Sequence, residues 1–370
     1  MNYTINKSKI NPLLINNVAI QTRKQPKNVI VSVFDFAKAE HSFNQQKLQF
    51  KPYPFADCFC MRVSLNEMAK LSNESYVKYI DPCVKVCAEQ KQQDSMNLSA
   101  LTQHKHQGKG TTICFIDTGI FPHFDFLFPQ NRIVKFIDFV NHNNTPYDDN
   151  GHGTFVAGIA CGNGNLNKQN IGFAPKANIV AIKALDSSGT SDSNIILDAM
   201  QWVYENYKQY NISIVCMSFG ADFVNGNDPL SRGADALWRK GLTIVAAAGN
   251  SGPNERTIKS PGNNPNIITV GGLDETHMQV ADFSSRGPTT FGYKPDLIAP
   301  AVDVVSCASN EPYTTMSGTS VATPIIAGIC ADLKSMYPQI RNDQIKNFLL
   351  ENCIKLTGDP NSEGAGFLKF

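Results

Sequence analysis

Apolar positions along the chain fall into two regimes that meet near residue 95. In the first, short apolar runs stand apart. Val29-Ile30-Val31-Ser32-Val33 and Cys58-Phe59-Cys60-Met61-Arg62-Val63 predict two strands, and Val77-Lys78-Tyr79-Ile80 predicts a third, closed by Asp81-Pro82. Between the last two, Ser64 and Glu67 have the spacing of a capping box. Leu65, Met68, Ala69 and Leu71 then recur at helical intervals. These elements predict a small α/β module over residues 28–90. The stretch from Gln90 to Lys109 is polar, has no periodicity and reads as an exposed linker.

From Thr111 the runs become near-continuous. Strands are predicted at Thr112–Ile116, Ile179–Ile182, Ile212–Met217, Leu242–Ala248 and Ile267–Val270. Ile195, Ile196, Ala199, Met200 and Val203 mark one amphipathic helix; Ile325, Ile326, Ile329 and Leu333 mark another, running on from Ser320. Fully apolar strands separated by helices predict a mainly parallel sheet covered on both faces. Ligands of such sheets gather at the carboxyl ends of the strands. No internal repeat is visible.

Composition narrows the function. Apolar residues make up 42% and charged residues 18% of the 370 positions, enough for a sizeable core. Lys plus Arg is 33 against 32 for Asp plus Glu, with no basic run, which argues against a nucleic-acid partner. No stretch approaches the roughly 18 apolar residues of a membrane span. Met1 to Ile20 lacks the roughly 7–15-residue apolar segment of a secretory signal, so a cytoplasmic location is expected. Most of the ten cysteines sit inside apolar runs, as in Ile113-Cys114-Phe115, which suits free thiols in a reducing compartment. The spacings of Cys58 with Cys60 and of Cys83 with Cys87 fit zinc modules poorly.

Four polar clusters stand out, two of them, at Asp117 and Asn250, directly after apolar runs. Asp117-Thr118-Gly119 sits directly after the strand ending at Ile116, where a buried carboxylate needs a partner to stay charged. By itself it reads equally well as a turn. It also has the form of an aspartic-protease motif, but the second such motif that shared-proton chemistry requires is absent. His152 lies between Gly151 and Gly153, residues that let a substrate and other backbone approach the ring. Ser320, in Gly318-Thr319-Ser320, sits where a loop enters a helix; it is either a cap or a nucleophile beside orphan N–H groups. Asn250, in Ala248-Gly249-Asn250, is either a turn residue or an amide donor to an oxyanion.

The order Asp117, His152, Asn250, Ser320 is far more specific than any one cluster. The segments Ile116-Asp117-Thr118-Gly119, Gly151-His152-Gly153-Thr154, Ala248-Gly249-Asn250 and Gly318-Thr319-Ser320 resemble the subtilase family of serine endopeptidases over residues 98–370. Asp138-Phe139-Val140-Asn141, Pro146 to Gly153 and Phe283 to Pro288 resemble its intracellular AprX-type branch. Residues 28–90 resemble the family's propeptide, a ferredoxin-like α+β inhibitor and chaperone.

The resemblance implies a three-layer subtilisin-like α/β fold over residues 110–370, preceded by an extension (1–27), the propeptide domain (28–90) and a linker (91–109). Self-processing is expected between Lys85 and Ser95. It also implies roles: Ser320 as nucleophile, His152 as general base, Asp117 as its orienting partner, and Asn250 with the Ser320 N–H as oxyanion donors. Ser218, Phe219 and Gly220 would offer an edge strand to substrate, with Ser188, Gly189 and Thr190 pairing on its other side. Lys259 would fall near the floor of the pocket for the side chain before the scissile bond, favouring acidic or polar residues, unless it points to solvent. Phe155 stands where many members carry a second, non-catalytic His.

Asp125 matches a family calcium ligand. The loop Gly162 to Gly172 lacks the residues that complete that site, so calcium is possible but no metal is expected to be required. The expected partners are peptide or protein substrates and the chain's own propeptide, with no nucleic acid and no membrane. A catalytically silent or inhibited member acting as a regulatory binding partner is the alternative.

Overall fold

The computed structural model describes residues 5–15, 26–89, 107–223 and 228–368. The short helix α1 (Pro12–Ile15) is followed by β1 (Lys27–Val33), α2 (Phe36–Gln45), β2 (Phe50–Tyr53), β3 (Cys58–Val63), α3 (Leu65–Ser72) and β4 (Val77–Pro82). The four strands form one antiparallel sheet in the order β2-β3-β1-β4. This βαββαβ arrangement is the expected ferredoxin-like one. The capping box is present, with Ser64 and Glu67 each bonding the other's backbone.

Strand alternation divides the side chains of this sheet between two partners. Val29, Val31, Phe59 and Met61 face one way, into a core with Ala39 and Phe43 of α2 and Met68 and Leu71 of α3. Ile30, Tyr53 and Cys58 face the other way, into the apolar cluster of the second domain. Burial on both faces explains why β1 reads as an unbroken apolar run.

Two boundaries differ from expectation. Residues 5–15 are not a separate extension: Ile10 and Leu14 are buried in the first domain's core, and Ile10 bridges to Ile80. Lys85–Ala88, assigned from sequence to the first domain, is a strand (β5) seated on the second. Its hydrogen-bonding partners all lie far ahead in the chain, a pairing that local pattern does not reveal. Most of the expected linker, residues 90–106, lies outside the described residues.

The second domain begins with β6 (Thr112–Asp117), α4 (Phe124–Leu127), β7 (Ile133–Asp138), α5 (His152–Cys161), β8 (Asn178–Lys183), β9 (Thr190–Asp192) and α6 (Ser193–Asn206). It continues through β10 (Ile212–Met217), β11 (Phe219–Ala221), α7 (Pro229–Arg239), β12 (Thr243–Ala247), β13 (Ile268–Asp274), β14 (Gln279–Val280), β15 (Leu297–Pro300), β16 (Val304–Cys307) and β17 (Tyr313–Met316). Helices α8 (Thr319–Met336) and α9 (Asn342–Glu351) and strands β18 (Cys353–Ile354) and β19 (Phe367–Leu368) complete it.

The central sheet has the order β18-β19-β15-β13-β12-β10-β6-β8-β7, with β14 beside β13. From β15 to β7 all pairings along this path are parallel. Ile113 and Phe115 of β6 point into the core shared with α5, α8 and α9; Cys114 and Ile116 point into the core shared with α6 and α7. That alternation makes three layers. From β6 the chain runs to the edge strand β7 and returns to β8, then crosses to β10 and continues outward through β12, β13 and β15, so the end of β6 lies at a topological switch point. Asp117 occupies that end.

Among the described residues no helix is long and apolar enough to cross a membrane. All ten cysteines are free thiols. Burial pushes those of Cys114, Cys161, Cys216, Cys307 and Cys330 upward, away from the reactive thiolate.

Candidate active site

Asp117 and His152 meet where β6 ends and α5 begins. The imidazole Nδ1–H donates to Asp117 Oδ1 at 2.6 Å, with both side chains almost fully buried. Thr118 N–H donates to the same oxygen at 2.7 Å. Burial opposes charge on the ring, but the Asp117 charge and hydrogen bond, helped by Asp148 and Glu89, outweigh it and raise the His152 pKa.

The loop that carries His152 is tied down by Asp148, which the family resemblance touched without assigning a role. Its carboxylate accepts from Thr118 Oγ1, Gly151 N–H, and the N–H and hydroxyl of Thr154, all at 2.6–2.8 Å. Gly153 is required by close approach: a Cβ there would stand 2.2 Å from the Gly119 carbonyl oxygen. Beneath the loop, fully buried Lys183 donates to the carbonyls of Thr118 and Leu185 and pairs with Asp149. Phe155, one turn along, is core.

Ser320 lies in the first turn of α8. Asn250 follows β12, and its Oδ1 accepts from the N–H and hydroxyl of Thr319 at 2.9 and 3.0 Å. Its Nδ2 is buried without a hydrogen-bond partner among the described residues, as is His152 Nε2. Ser218 Oγ donates to the Ser320 carbonyl at 3.1 Å.

The cleft holds β5. This strand pairs antiparallel with β11 on one side and β9 on the other, setting Ala88 against Phe219, and Cys87 against both Gly220 and Thr190. Ala88 N–H donates to the Gly189 carbonyl at 2.8 Å. Beyond it, Glu89 N–H reaches the Ser218 carbonyl at 3.4 Å, and the Glu89 carbonyl oxygen accepts from the Ser320 N–H at 3.3 Å. The Ser320 hydroxyl donates to that same oxygen. The Glu89 carboxylate accepts from Asn250 N–H at 2.9 Å.

Of the residues singled out from sequence, the structure gathers Asp117, His152, Asn250, Ser320, Ser218, Phe219, Gly220, Gly189, Thr190 and Lys259 around this cleft. Ser188 is not among them. It is exposed in a turn, where its N–H is held by Asp186 at 2.9 Å, and it takes no part in the pairing. Glu89 was missed; its only signal was a position inside the expected processing range, Lys85 to Ser95.

The first domain grips helices α6 and α7. Tyr53 hydroxyl donates to Asp198 at 2.8 Å, Lys51 pairs with Asp198 at 2.6 Å, and Arg232 Nε donates to the Ala56 carbonyl at 3.3 Å.

Asp125 does not fit a calcium cage. Its Oδ1 accepts from the N–H groups of Asn165 and Leu166 at 2.9 and 3.1 Å, and its Oδ2 from the Tyr313 hydroxyl at 2.8 Å and the Cys307 thiol. His123 and Cys307 stand close enough to form a ligand cluster with it. However, His123 is bound on both ring nitrogens, by Asp125 N–H and by the Pro312 carbonyl. Hydrogens aimed at both carboxylate oxygens suit an anion, whereas a calcium ion needs roughly 6–8 oxygen ligands turned toward it.

A family model described as the subtilase family matches residues 108–366. The serine protease AprX of Bacillus subtilis is 40% identical over 290 residues, which cover 70% of this chain and 65% of AprX, just under two thirds of its length. The thermostable alkaline protease of Halalkalibacterium halodurans is 31% identical over 307 residues, covering 82% and 79%. Subtilisin DY of Bacillus licheniformis is 33% identical over 266 residues, covering 71% and 90%. A match that runs through the central sheet and through every segment that walls the cleft leaves one assignment: the chain belongs to the subtilase family.

Proposed function

We propose that the chain is a serine endopeptidase, made as a precursor inhibited by its own first domain, that cuts its own Glu89–Gln90 bond. The observation that carries this reading is the Glu89 carbonyl, which accepts from both the N–H and the hydroxyl of Ser320 at the end of a strand paired on both sides.

In this reading Ser320 Oγ attacks the carbonyl carbon and His152 Nε2 takes its proton. Asp117 stabilises the imidazolium and holds the tautomer that leaves Nε2 free to accept. Negative charge on the former carbonyl oxygen is met by the Ser320 N–H and by Asn250 Nδ2, which has no bond to break first among the described residues. His152 then passes the proton to the departing nitrogen of Gln90, and water releases Glu89 from the acyl-enzyme. Peptide and protein substrates later take the place of β5 between β9 and β11. Ten free thiols support action in a reducing compartment such as the cytoplasm.

The test compares the full chain with Ser320→Ala by intact mass, N-terminal sequencing and fluorophosphonate labelling. Wild type should yield a fragment beginning at Gln90 and take the label; the variant should stay whole and unlabelled. A wild type that is uncut and unlabelled would instead favour a silent binding partner.

A further inference from the structure

Glu89 projects its side chain into a slot walled by backbone. At Gly220 a Cβ would stand 2.6 Å from Glu89 Oε1 and 2.7 Å from Lys259 Cβ, so the carboxylate and the lysine stem face each other across one missing methyl group. The Asn250 N–H supplies a direct bond to Glu89 Oε2. Lys259, only 15% exposed, pairs through Nζ with Asp222 at 2.5 Å, and Asp222 is 87% exposed.

These surroundings discriminate between side chains. Burial raises the Glu89 carboxyl pKa above its ordinary value, and the Lys259 charge and the Asn250 N–H limit that rise without cancelling it. A leucine in the slot would avoid the desolvation of a carboxylate. It would also strip the Asn250 N–H of its acceptor and leave Lys259 with Asp222 alone. Asp222 lies in water, where an ion pair is screened; the Glu89 carboxylate is half-buried, where the same charge acts more strongly. Sites that bond a polar group reject the analogue lacking it far better than apolar pockets reject an extra methylene. Further back along the strand, Val86 is fully buried in the apolar cluster shared by β6, β8, β10 and α6.

We propose that this protease selects glutamate immediately before the bond it cuts, through Lys259, the Asn250 N–H and the space left by Gly220. The pattern Val86-Cys87-Ala88-Glu89 of its own strand is then the model for its substrates: an apolar residue, any residue, a small residue and glutamate. The proposal rests on the endopeptidase reading above.

The test gives the self-processed full chain fluorogenic peptides Val-Ser-Ala-Xaa, with Xaa as Glu, Gln, Leu or Phe. The Glu peptide should exceed each of the others in kcat/KM by about tenfold or more, the size expected for bonds to a charged group. The Glu-to-Gln ratio should fall toward one in Lys259→Met and with added salt, and rise in Asp222→Asn. Glu89→Gln, which leaves the pocket unaltered, should slow self-cleavage about tenfold. Leucine or phenylalanine cleaved as fast as glutamate, or a Glu-to-Gln ratio indifferent to salt and to Lys259→Met, overturns the proposal while the endopeptidase reading stands. No cleavage of any peptide and no fluorophosphonate labelling overturns both.

Discussion

Asn250 Oδ1 is held by both the N–H and the hydroxyl of Thr319, the residue before Ser320. With the oxygen engaged, the amide nitrogen is the end left for the cleft, and it has no partner among the described residues. A buried donor left unpaired in this way costs about 1–3 kcal/mol in the resting state and, in the proposed reaction, returns it when an oxyanion forms. Asn250→Leu should therefore lower kcat by about 10²–10³ with little change in KM. Thr319→Val, which removes only one of the two anchoring bonds, should cost about tenfold. Steady-state kinetics on a fluorogenic peptide separate these outcomes; a change confined to KM would contradict them.

The raised pKa of His152 has a consequence for pH. In the proposed reaction the ring acts as a base only when neutral, so activity should be lost as pH falls through a value above the ordinary imidazole one of about 6.5. Asp117→Asn removes the charge that most favours the protonated ring. It should move the acidic limb of the kcat/KM profile to lower pH, while the plateau drops by about 10⁴. An acidic limb that stays in place in this variant would assign the titration to another group.

Asp81 makes the first domain sensitive to pH. Burial pushes its carboxyl up to about 6 from 3.8, against a hydrogen bond from Asn11 Nδ2. The folded state therefore holds the proton more tightly than the unfolded one. The associated stability is complete below 3.8 and is lost as pH rises through about 6. Asp81→Asn keeps the acceptor and removes the charge, so it should stabilise the domain at neutral pH by on the order of 2–3 kcal/mol. Denaturant melts of the Ser320→Ala chain at pH 4.5 and 7.5 read this; equal gains at both would refute it.

The bonds around Asp125 predict indifference to chelation. EDTA should leave Tm unchanged. Tyr313→Phe, which removes one donor to the carboxylate, should lower stability by about 1–3 kcal/mol. A Tm that falls with EDTA and recovers with calcium would show that the carboxylate recruits a cation after all.

The sequence made legible what is repeated or locally encoded. Strands such as β6 and β10, buried on both faces, write themselves as continuous apolar runs, and the Ser64–Glu67 box announces α3. Helix α2 escaped notice because only Ala39 and Phe43 of its ten residues are buried. Strand β2 escaped because it is four residues long and contains Pro52 at a sheet edge. Short β5 has half its side chains toward solvent and partners more than a hundred residues away. The Asp117, His152, Asn250 and Ser320 segments were recognisable because each needs particular neighbours. Glu89, Asp222 and the donors to Asp125 were not, since each acts through one side chain brought near by the fold.

One strand belongs to two bodies at once. The polypeptide from Lys85 to Ala88 continues the first domain, yet it is the middle member of a sheet whose other two strands, β9 and β11, belong to the second. If the bond after Glu89 is severed, the halves remain joined by that sheet and by the grip of Tyr53, Lys51 and Arg232. Liberation then becomes a matter of dissociation rather than chemistry. Specific activity should climb on dilution, and a rival copy of the first domain should silence an already freed enzyme.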